Sequence, residues 1–314
     1  MYYLLILVMY GVWPSVYSLG KMALEHSPPL FLTASRMLLA GVILLGYLLF
    51  RNRAAFKITL KQFLSLCLFA VFGIYCTNAF EFWSLQHLTT AKVSFIYSLC
   101  PFFSALFSYL HFKEKMNGRK WIGMGIGFLG FIPVLAMQKG AEELVGGIGF
   151  ISWPELAMVG AALCTSYGWI LLRLLVKDSV SYLTVNGISM LIGGLLALTH
   201  SYLVEAWDPL PVHAEGVLPF AKGILIMTFI SNILCYNLYG VLLKRFTATF
   251  VSFMGLLSPI FTSFNGWLFL NEQPSPIIFF STAIVMLGSW MVYSAELKQG
   301  YIRKGDQTAT QSAA

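Results

Sequence analysis

Residues 88–115, LTTAKVSFIYSLCPFFSALFSYLHFKEK, recur in altered form at residues 246–273, FTATFVSFMGLLSPIFTSFNGWLFLNEQ. The two stretches align without a gap at a constant offset of 158 residues. Each is apolar and long enough to cross a bilayer. An internal duplication in a membrane chain predicts a fold made of two related halves. The identical paired positions include Thr89 with Thr247, Val93 with Val251, Ser94 with Ser252, Phe95 with Phe253, Pro101 with Pro259 and Glu114 with Glu272.

The composition belongs to a membrane protein. Hydrophobic residues make up 58% of the chain and charged residues 11%, whereas soluble domains carry roughly 25% charged residues. The mean hydropathy is +0.76. Five cysteines lie in apolar stretches without the paired spacing of a metal site, so no disulfide framework and no metal ion are predicted. The net charge of +7 comes from basic residues at the ends of apolar runs, which excludes nucleic acid as the expected partner.

Ten apolar runs approach the roughly 20 residues that a helix needs to cross the hydrocarbon core. The first run lacks the basic start and the small-residue cleavage site of a signal peptide, so we expect it to be retained as a span. The predicted spans are residues 2–24, 29–50, 61–85, 91–111, 119–138, 153–176, 180–204, 219–243, 248–270 and 276–295.

Ten spans place both termini on the same side of the membrane. Fifteen of the 20 Lys and Arg residues fall on that side, and the opposite loops hold Lys92, Lys139 and Lys222 with most of the acidic residues. Since basic residues are enriched in cytoplasmic loops, both termini are predicted to be cytoplasmic. The basic residues on that side are Arg51, Arg53, Lys57, Lys61, Lys113, Lys115, Arg119, Lys120, Arg173, Lys177, Lys244, Arg245, Lys298, Arg303 and Lys304.

Five spans per half is an odd number, so the second half must enter the membrane upside down. The charges of equivalent loops should then reverse: residues 51–61 are basic, whereas their counterpart, residues 205–216, is acidic. The sequence therefore predicts an all-α integral membrane protein of ten transmembrane helices arranged as two inverted five-helix repeats. The predicted boundaries are residues 1–140 for the first repeat, 141–295 for the second and 296–314 for a disordered cytoplasmic tail.

The first half carries a recognisable pattern. Residues 10–41, YGVWPSVYSLGKMALEHSPPLFLTASRMLLAG, precede the segment with Pro101 and Glu114 and a glycine-rich fifth span. Over residues 3–295 this pattern resembles the EamA-type transporters of the drug/metabolite transporter superfamily. The resemblance implies ten helices in two inverted halves that carry small metabolites through a central cavity. The second half departs from the pattern, because Gly187 aligns with Arg36 and Cys164 with Trp13.

A carrier needs polar side chains inside the membrane, where unpaired polar groups are costly. Residues three or four positions apart share one helical face in the first, third and eighth spans, and the sixth offers a tyrosine at similar depth. Many aromatic side chains in such stripes serve only packing or the membrane interface, since aromatic residues are 16% of the chain. The predicted substrate-binding residues are Tyr10, Trp13, Tyr75, Asn78, Glu81, Phe82, Tyr167, Asn232 and Tyr236.

Glu81 is the single carboxylate well within a predicted span. It is a candidate partner for a cationic solute group or a protonatable coupling site, and the alternatives are a side chain that reaches outer water or pairs with Lys92. Arg36 could snorkel, bridge two helices or contact a substrate carboxylate. Pro101 and Pro259 each remove a helix hydrogen bond at equivalent positions, which predicts a paired hinge.

The sequence contains no phosphate loop, nucleophile elbow or paired carboxylates, so we expect neither an enzyme nor a cofactor. We predict a secondary transporter in a bacterial inner membrane that moves a small amphipathic metabolite, an amino acid or its derivative, by alternating access. One carboxylate among aromatic rings suits a cation that bears a ring, so S-adenosylmethionine exchanged for S-adenosylhomocysteine is a specific hypothesis. The alternatives are an exporter of drugs or other metabolites and a non-transporting scaffold or sensor. The expected partners are the solute and the lipid bilayer, with a homodimer left open.

Overall fold

The computed structural model describes residues 2–51, 56–113, 115–137, 141–244, 246 and 248–300. Glu114, Thr247 and residues 301–314 of the predicted tail lie outside them. Within the described part of the chain, nine helical spans are long and apolar enough to cross a membrane. The helix Gly118–Leu135, which starts with two basic residues in its first turn, is the fifth of the ten expected spans. The other spans, in chain order, are Leu4–Leu24, Pro29–Arg51, Leu60–His87, Thr90–His111, Trp153–Lys177, Tyr182–Val204, Val217–Leu243, Phe250–Leu270 and Pro276–Lys298.

The third and eighth spans are interrupted at equivalent places by π-helices. Their π-helical segments, Ala70–Cys76 and Thr228–Cys235, begin 158 residues apart. A π-helix bonds each residue to the fifth along rather than the fourth, so it shifts the direction in which the following side chains point. The α-helical parts of these two spans are Leu60–Phe69, Thr77–His87, Val217–Met227 and Tyr236–Leu243.

The fourth and ninth spans each consist of two helical pieces, and a proline lies in the first turn of the second piece. Pro101 lies in Cys100–Phe112, and Pro259 lies in Ser258–Leu270. Proline fits there because the first helical amides have no carbonyl partner to lose. At each predicted bend, one helix therefore ends and a second begins. That these breaks act as hinges stays a prediction. The preceding pieces are Thr90–Tyr97, and Ala248–Met254 followed by the 3-10 turn Gly255–Leu257.

The first span is also divided into two helices, Tyr2–Val12 and Ser15–Leu24, by a turn at Trp13 and Pro14. The short elements outside the spans are the helix Ala141–Val145, the 3-10 turn Ala214–Gly216 and an antiparallel pair of strands, Gly147–Ile148 with Ile151–Ser152, whose register pairs Gly147 with Ser152.

The halves pack through equivalent pairs of helices: the second span lies along the seventh, and the fifth along the tenth. The fifth and tenth spans approach closely because glycines lie between them. A Cβ on Gly123 would come within 2.7 Å of the carbonyl oxygen of Gly288. Small residues allow this approach of two helix backbones in a membrane. Gly123 and Gly127 in the fifth span therefore serve helix packing.

Lys92 does not pair with Glu81, so that alternative is wrong. Lys92 lies in the first turn of the fourth span, and its Nζ is 2.7 Å from Glu155 Oε1 at the start of the sixth span. Glu155 is held there by a capping box with Ser152. The backbone amide of each of the two residues donates a hydrogen bond to the side chain of the other. Lys92 is therefore buried between the halves rather than placed in an outer loop.

The last span continues past residue 295, where the tail was expected to begin. Its helix ends at Lys298, and Glu296 is buried with its carboxylate 3.6 Å from Lys120 Nζ of the fifth span. A buried charge needs a partner of opposite charge. Because Lys120 on the adjacent helix supplies one for Glu296, the helix can continue to Lys298.

Candidate functional site

A cavity of about 770 Å³, its opening included, lies between the two halves. Seven of the ten spans contribute to its wall, and the third, fourth, eighth and ninth do so through residues 158 positions apart. The repeat-related pairs on the wall are Asn78 with Tyr236, Glu81 with Tyr239, Ser94 with Ser252, Tyr97 with Gly255 and Cys100 with Ser258.

One side of the cavity is an aromatic wall formed by Trp13, Trp169, Tyr236 and Tyr239. The rings of Trp169 and Tyr239 are stacked with their centroids 4.0 Å apart. Trp13 lies 5.7 Å from Tyr236 and meets Tyr239 edge to face at 6.2 Å. The first, sixth and eighth spans supply these rings, so they form one surface only in the folded bundle. Such a surface can stack on a flat ring or hold a cation.

Arg36 also lines the cavity. Its side chain is only 2% exposed, and its Nη2 donates a hydrogen bond to Asn78 Oδ1 of the third span. The guanidinium also lies over the ring of Phe82, with 4.7 Å between Cζ and the ring centroid. Asn78 is fixed in turn because its amide nitrogen donates to the carbonyl oxygen of Ile74 at 2.7 Å. Arg36 thus bridges two helices and also reaches the cavity.

Glu81 lies one helical turn from Asn78 and also lines the cavity. Among the described residues no cation lies within 4 Å of its carboxylate, because Lys92 is bound to Glu155 and Arg36 to Asn78. The cavity therefore contains a positive and a negative side chain that do not neutralise each other by direct contact.

The structure brings together five of the nine predicted substrate-binding residues: Tyr10, Trp13, Asn78, Glu81 and Tyr236. Tyr10 is oriented by a 2.7 Å hydrogen bond from its hydroxyl to the carbonyl oxygen of Val251 in the ninth span. Their contact with substrate stays a prediction.

Tyr75 and Asn232 do not line the cavity, although helical spacing placed them there. The Tyr75 hydroxyl is 2.8 Å from His200 Nδ1 of the seventh span, and Asn232 donates to the Met37 sulfur at 3.0 Å. Both residues lie within the two π-helices. The expected face assumed 3.6 residues per turn, and the wider π-turn rotates these two side chains away from it.

Phe82 and Tyr167 also lie outside the cavity wall. Phe82 is buried beneath the Arg36 guanidinium, where it supports a cavity residue without lining the cavity. Tyr167 meets the rings of Phe72 and Phe107 edge to face at 5.4 and 5.5 Å. Because the sixth span is a continuous α-helix, its inward face carries Trp169 instead.

Several wall residues were missing from the predicted set. Ser94, Tyr97 and Cys100 belong to the duplicated stretch, and all three line the cavity together with their counterparts. The constant offset was the signal that could have identified them, since inverted repeats tend to place equivalent residues around one central site. Trp169 has no such signal in the sequence.

The arrangement can bind an amphipathic solute that contacts both the aromatic wall and two side chains of opposite charge. The described residues hold no group of three or more His, Cys, Asp or Glu side chains placed to bind a metal ion.

The sequence model of the EamA-like transporter family matches residues 1–136 and 152–294. A relative from Chlamydia muridarum, named S-adenosylmethionine/S-adenosylhomocysteine transporter, is 38% identical over 293 residues, which cover 93% of this chain and 91% of the relative. A protein of the same name from Chlamydia trachomatis serovar L2 is 38% identical over 93% of this chain and 88% of its own. An uncharacterized transporter from Archaeoglobus fulgidus is 25% identical over 87% of this chain and 89% of its own.

A solved crystal structure has the same fold, with a TM-score of 0.68 at 17% sequence identity, and the match covers 94% of this chain and 97% of that one. The apolar helices identify a multi-pass membrane protein. With the family model matched across both halves, this chain belongs to the EamA-like transporter family.

Proposed function

We propose that this protein exchanges S-adenosylmethionine for S-adenosylhomocysteine across a bacterial inner membrane. The observation that carries the proposal is the 38% identity, over 93% of the chain, to transporters named for these two compounds. The cavity supports it chemically. Both compounds combine an adenine ring with a charged amino-acid end, and S-adenosylmethionine adds a sulfonium cation.

The aromatic wall of Trp13, Trp169, Tyr236 and Tyr239 suits the adenine ring and the sulfonium. Rings attract cations through their faces, and the attraction grows when water is excluded. Glu81 supplies the negative charge that a cationic solute requires. A solute of this kind crosses the membrane as the halves alternate their opening, and exchange of two similar solutes needs no ATP.

We further propose that both termini are cytoplasmic, with residues 1–140 and 141–295 as the two repeats. The excess of basic residues on the side of the termini supports this orientation. A fluorescent or enzymatic reporter fused to either end should be active in the cytoplasm. A homodimer and the absence of enzymatic activity stay predictions from the sequence.

The proposal is tested with purified protein in liposomes. Vesicles preloaded with S-adenosylhomocysteine should take up labelled S-adenosylmethionine faster than empty vesicles, and external S-adenosylhomocysteine should compete. Glu81→Gln should lower uptake at least about tenfold, since a lost charge-assisted hydrogen bond costs about 1.5–3 kcal/mol. Glu215→Gln, at an exposed residue outside the cavity, is the matched control. No accelerated uptake with either compound inside would refute the exchange.

Other functions predict different results in the same vesicles. An exporter of drugs or other metabolites would move those compounds and ignore S-adenosylmethionine. A scaffold or sensor would move nothing, and Glu81→Gln in the cavity wall would leave its function in cells unchanged.

A further inference from the structure

We propose that Arg36 and Glu81 together form a subsite for a zwitterionic α-amino-acid group, with the solute's carboxylate on Arg36 and its ammonium on Glu81. The aromatic wall then receives the remainder of the solute. This inference rests on transport through the cavity, as proposed above, and names the part of the solute that is recognised.

Arg36 makes no ion pair with a described residue, although Glu81 lines the same cavity. Its partners are neutral, the amide of Asn78 and the ring of Phe82, and its buried Nε has no hydrogen-bond acceptor. An uncompensated charge away from water is costly, and the cost falls when an anion binds. A carboxylate fits best, because the planar guanidinium can donate two parallel hydrogen bonds to it.

Glu81 provides the complementary half of the subsite. It follows Asn78 by three residues in the helix Thr77–His87, so the amide that holds Arg36 and the carboxylate share one helical face. Arg36 and Glu81 nevertheless form no ion pair, since the guanidinium donates its hydrogen bond to Asn78 instead. A solute with a single charge would leave one of the two side chains unpaired, whereas a zwitterion pairs both.

The two repeats contribute different side chains to the cavity, and this difference indicates which way such a solute would point. Glu81 corresponds to Tyr239 and Asn78 to Tyr236 at the offset of 158 residues, and Arg36 aligns with Gly187. The charges thus come from the first half alone, and the second half presents aromatic rings at equivalent positions. A bound solute would direct its amino-acid end toward the second and third spans and its ring toward the sixth and eighth.

Binding of matched solute pairs to the wild-type protein tests the subsite without any substitution. The pairs are S-adenosylmethionine with its decarboxylated form, S-adenosylhomocysteine with methylthioadenosine, and tryptophan with tryptamine and with indolepropionic acid. We expect removal of the carboxylate or the amine to weaken binding roughly 10- to 100-fold, because each removal leaves one buried charge unpaired.

Substitutions then assign each charge. Arg36→Gln should abolish the discrimination between a solute and its decarboxylated form but retain the discrimination against loss of the amine. Glu81→Gln should do the reverse. Arg119→Gln, in the fifth span beside Trp290 and away from the cavity wall, is the control and should change neither ratio.

The outcomes separate this inference from the proposed function. Equal binding of S-adenosylmethionine and its decarboxylated form would overturn the subsite and leave the exchange intact. Binding of tryptophan but not of the adenosyl compounds, with the same dependence on both charges, would overturn the proposed solute and support the subsite. Binding of no compound with an amino-acid group would overturn both.

Discussion

Asn78 holds the buried guanidinium of Arg36 in position without neutralising it. Its carbonyl oxygen accepts from Arg36 Nη2, and its amide donates to Ile74 in the π-helix. Aspartate has nearly the same shape and would convert this hydrogen bond into an ion pair. The neutral side chain at this position therefore keeps the charge of Arg36 available to a solute.

We expect Asn78→Asp to lower the affinity for the solute by about tenfold or more, because an internal carboxylate competes for Arg36. Asn78→Ala should lower the free energy of unfolding by about 1–3 kcal/mol, since it leaves the guanidinium without its acceptor. Melting curves with and without solute measure both effects. Wild-type affinity in Asn78→Asp would contradict the role given to Arg36.

At the scale of the helix, the paired breaks in the fourth and ninth spans are the feature that both halves share. Each second piece starts with a proline in its first turn, and both pieces contribute to the cavity wall. A break leaves the two ends of a span joined by only a few backbone bonds, so one end can tilt with less resistance than in a continuous helix.

Pro101→Ala and Pro259→Ala should let these two spans close toward continuous helices and slow exchange by about fivefold, which corresponds to about 1 kcal/mol of barrier. Solute binding should change less than the exchange rate. Pro133→Ala, inside the helix Gly118–Leu135 and off the cavity wall, is the matched control. Equal exchange rates in all three variants would show that the breaks do not act as hinges.

The contact between the fifth and tenth spans gives a second prediction at this scale. Gly123→Ala should lower the free energy of unfolding by about 1–3 kcal/mol, because its Cβ would lie 2.7 Å from the carbonyl oxygen of Gly288. Gly125→Ala, two residues away with no atom within 4 Å of the added Cβ, should be neutral or stabilising. Thermal unfolding in detergent measures the difference, and equal losses would refute the close contact.

At the scale of the whole molecule, an ion pair ties the halves together on the face opposite the termini. Lys21 Nζ, at the end of the first span, lies 2.8 Å from Glu272 Oε1, which follows the ninth span. Glu272 also accepts hydrogen bonds from the backbone amide and the hydroxyl of Thr90, at 2.9 and 2.6 Å. Opening on this face would have to break these contacts.

We expect Glu272→Gln to increase access to the cavity from that face. With Cys100 of the cavity wall kept as the single cysteine, a small charged thiol reagent added on that face should react about fivefold faster. Lys222→Gln, at an exposed lysine on the same face, should not change the rate. The reversed pair, Lys21→Glu with Glu272→Lys, should slow labelling only in part, because a lysine at this position cannot accept the hydrogen bonds of Thr90. Failure of all variants to alter the rate would exclude the pair as a closing contact.

The amino-acid sequence was enough to predict the number of spans, their inverted repetition and the class of protein. Apolar length, loop charge and the offset of 158 residues can all be read from the chain. A bilayer then restricts each apolar run to a helix, because the backbone must satisfy its own hydrogen bonds there. It also identified Tyr10, Trp13, Asn78, Glu81 and Tyr236, because α-helical spacing places them on inward faces.

Which polar residues meet depends on how the helices pack, and the sequence did not show this. The π-helices turned Tyr75 and Asn232 away from the cavity, and such wider turns leave no regular mark in the hydrophobic pattern. Helix packing paired Lys92 with Glu155 and left Glu81 in the cavity without a direct ion pair to any described residue. Partners on different spans are set by how helices cross, and spacing along one helix carries no information about that crossing.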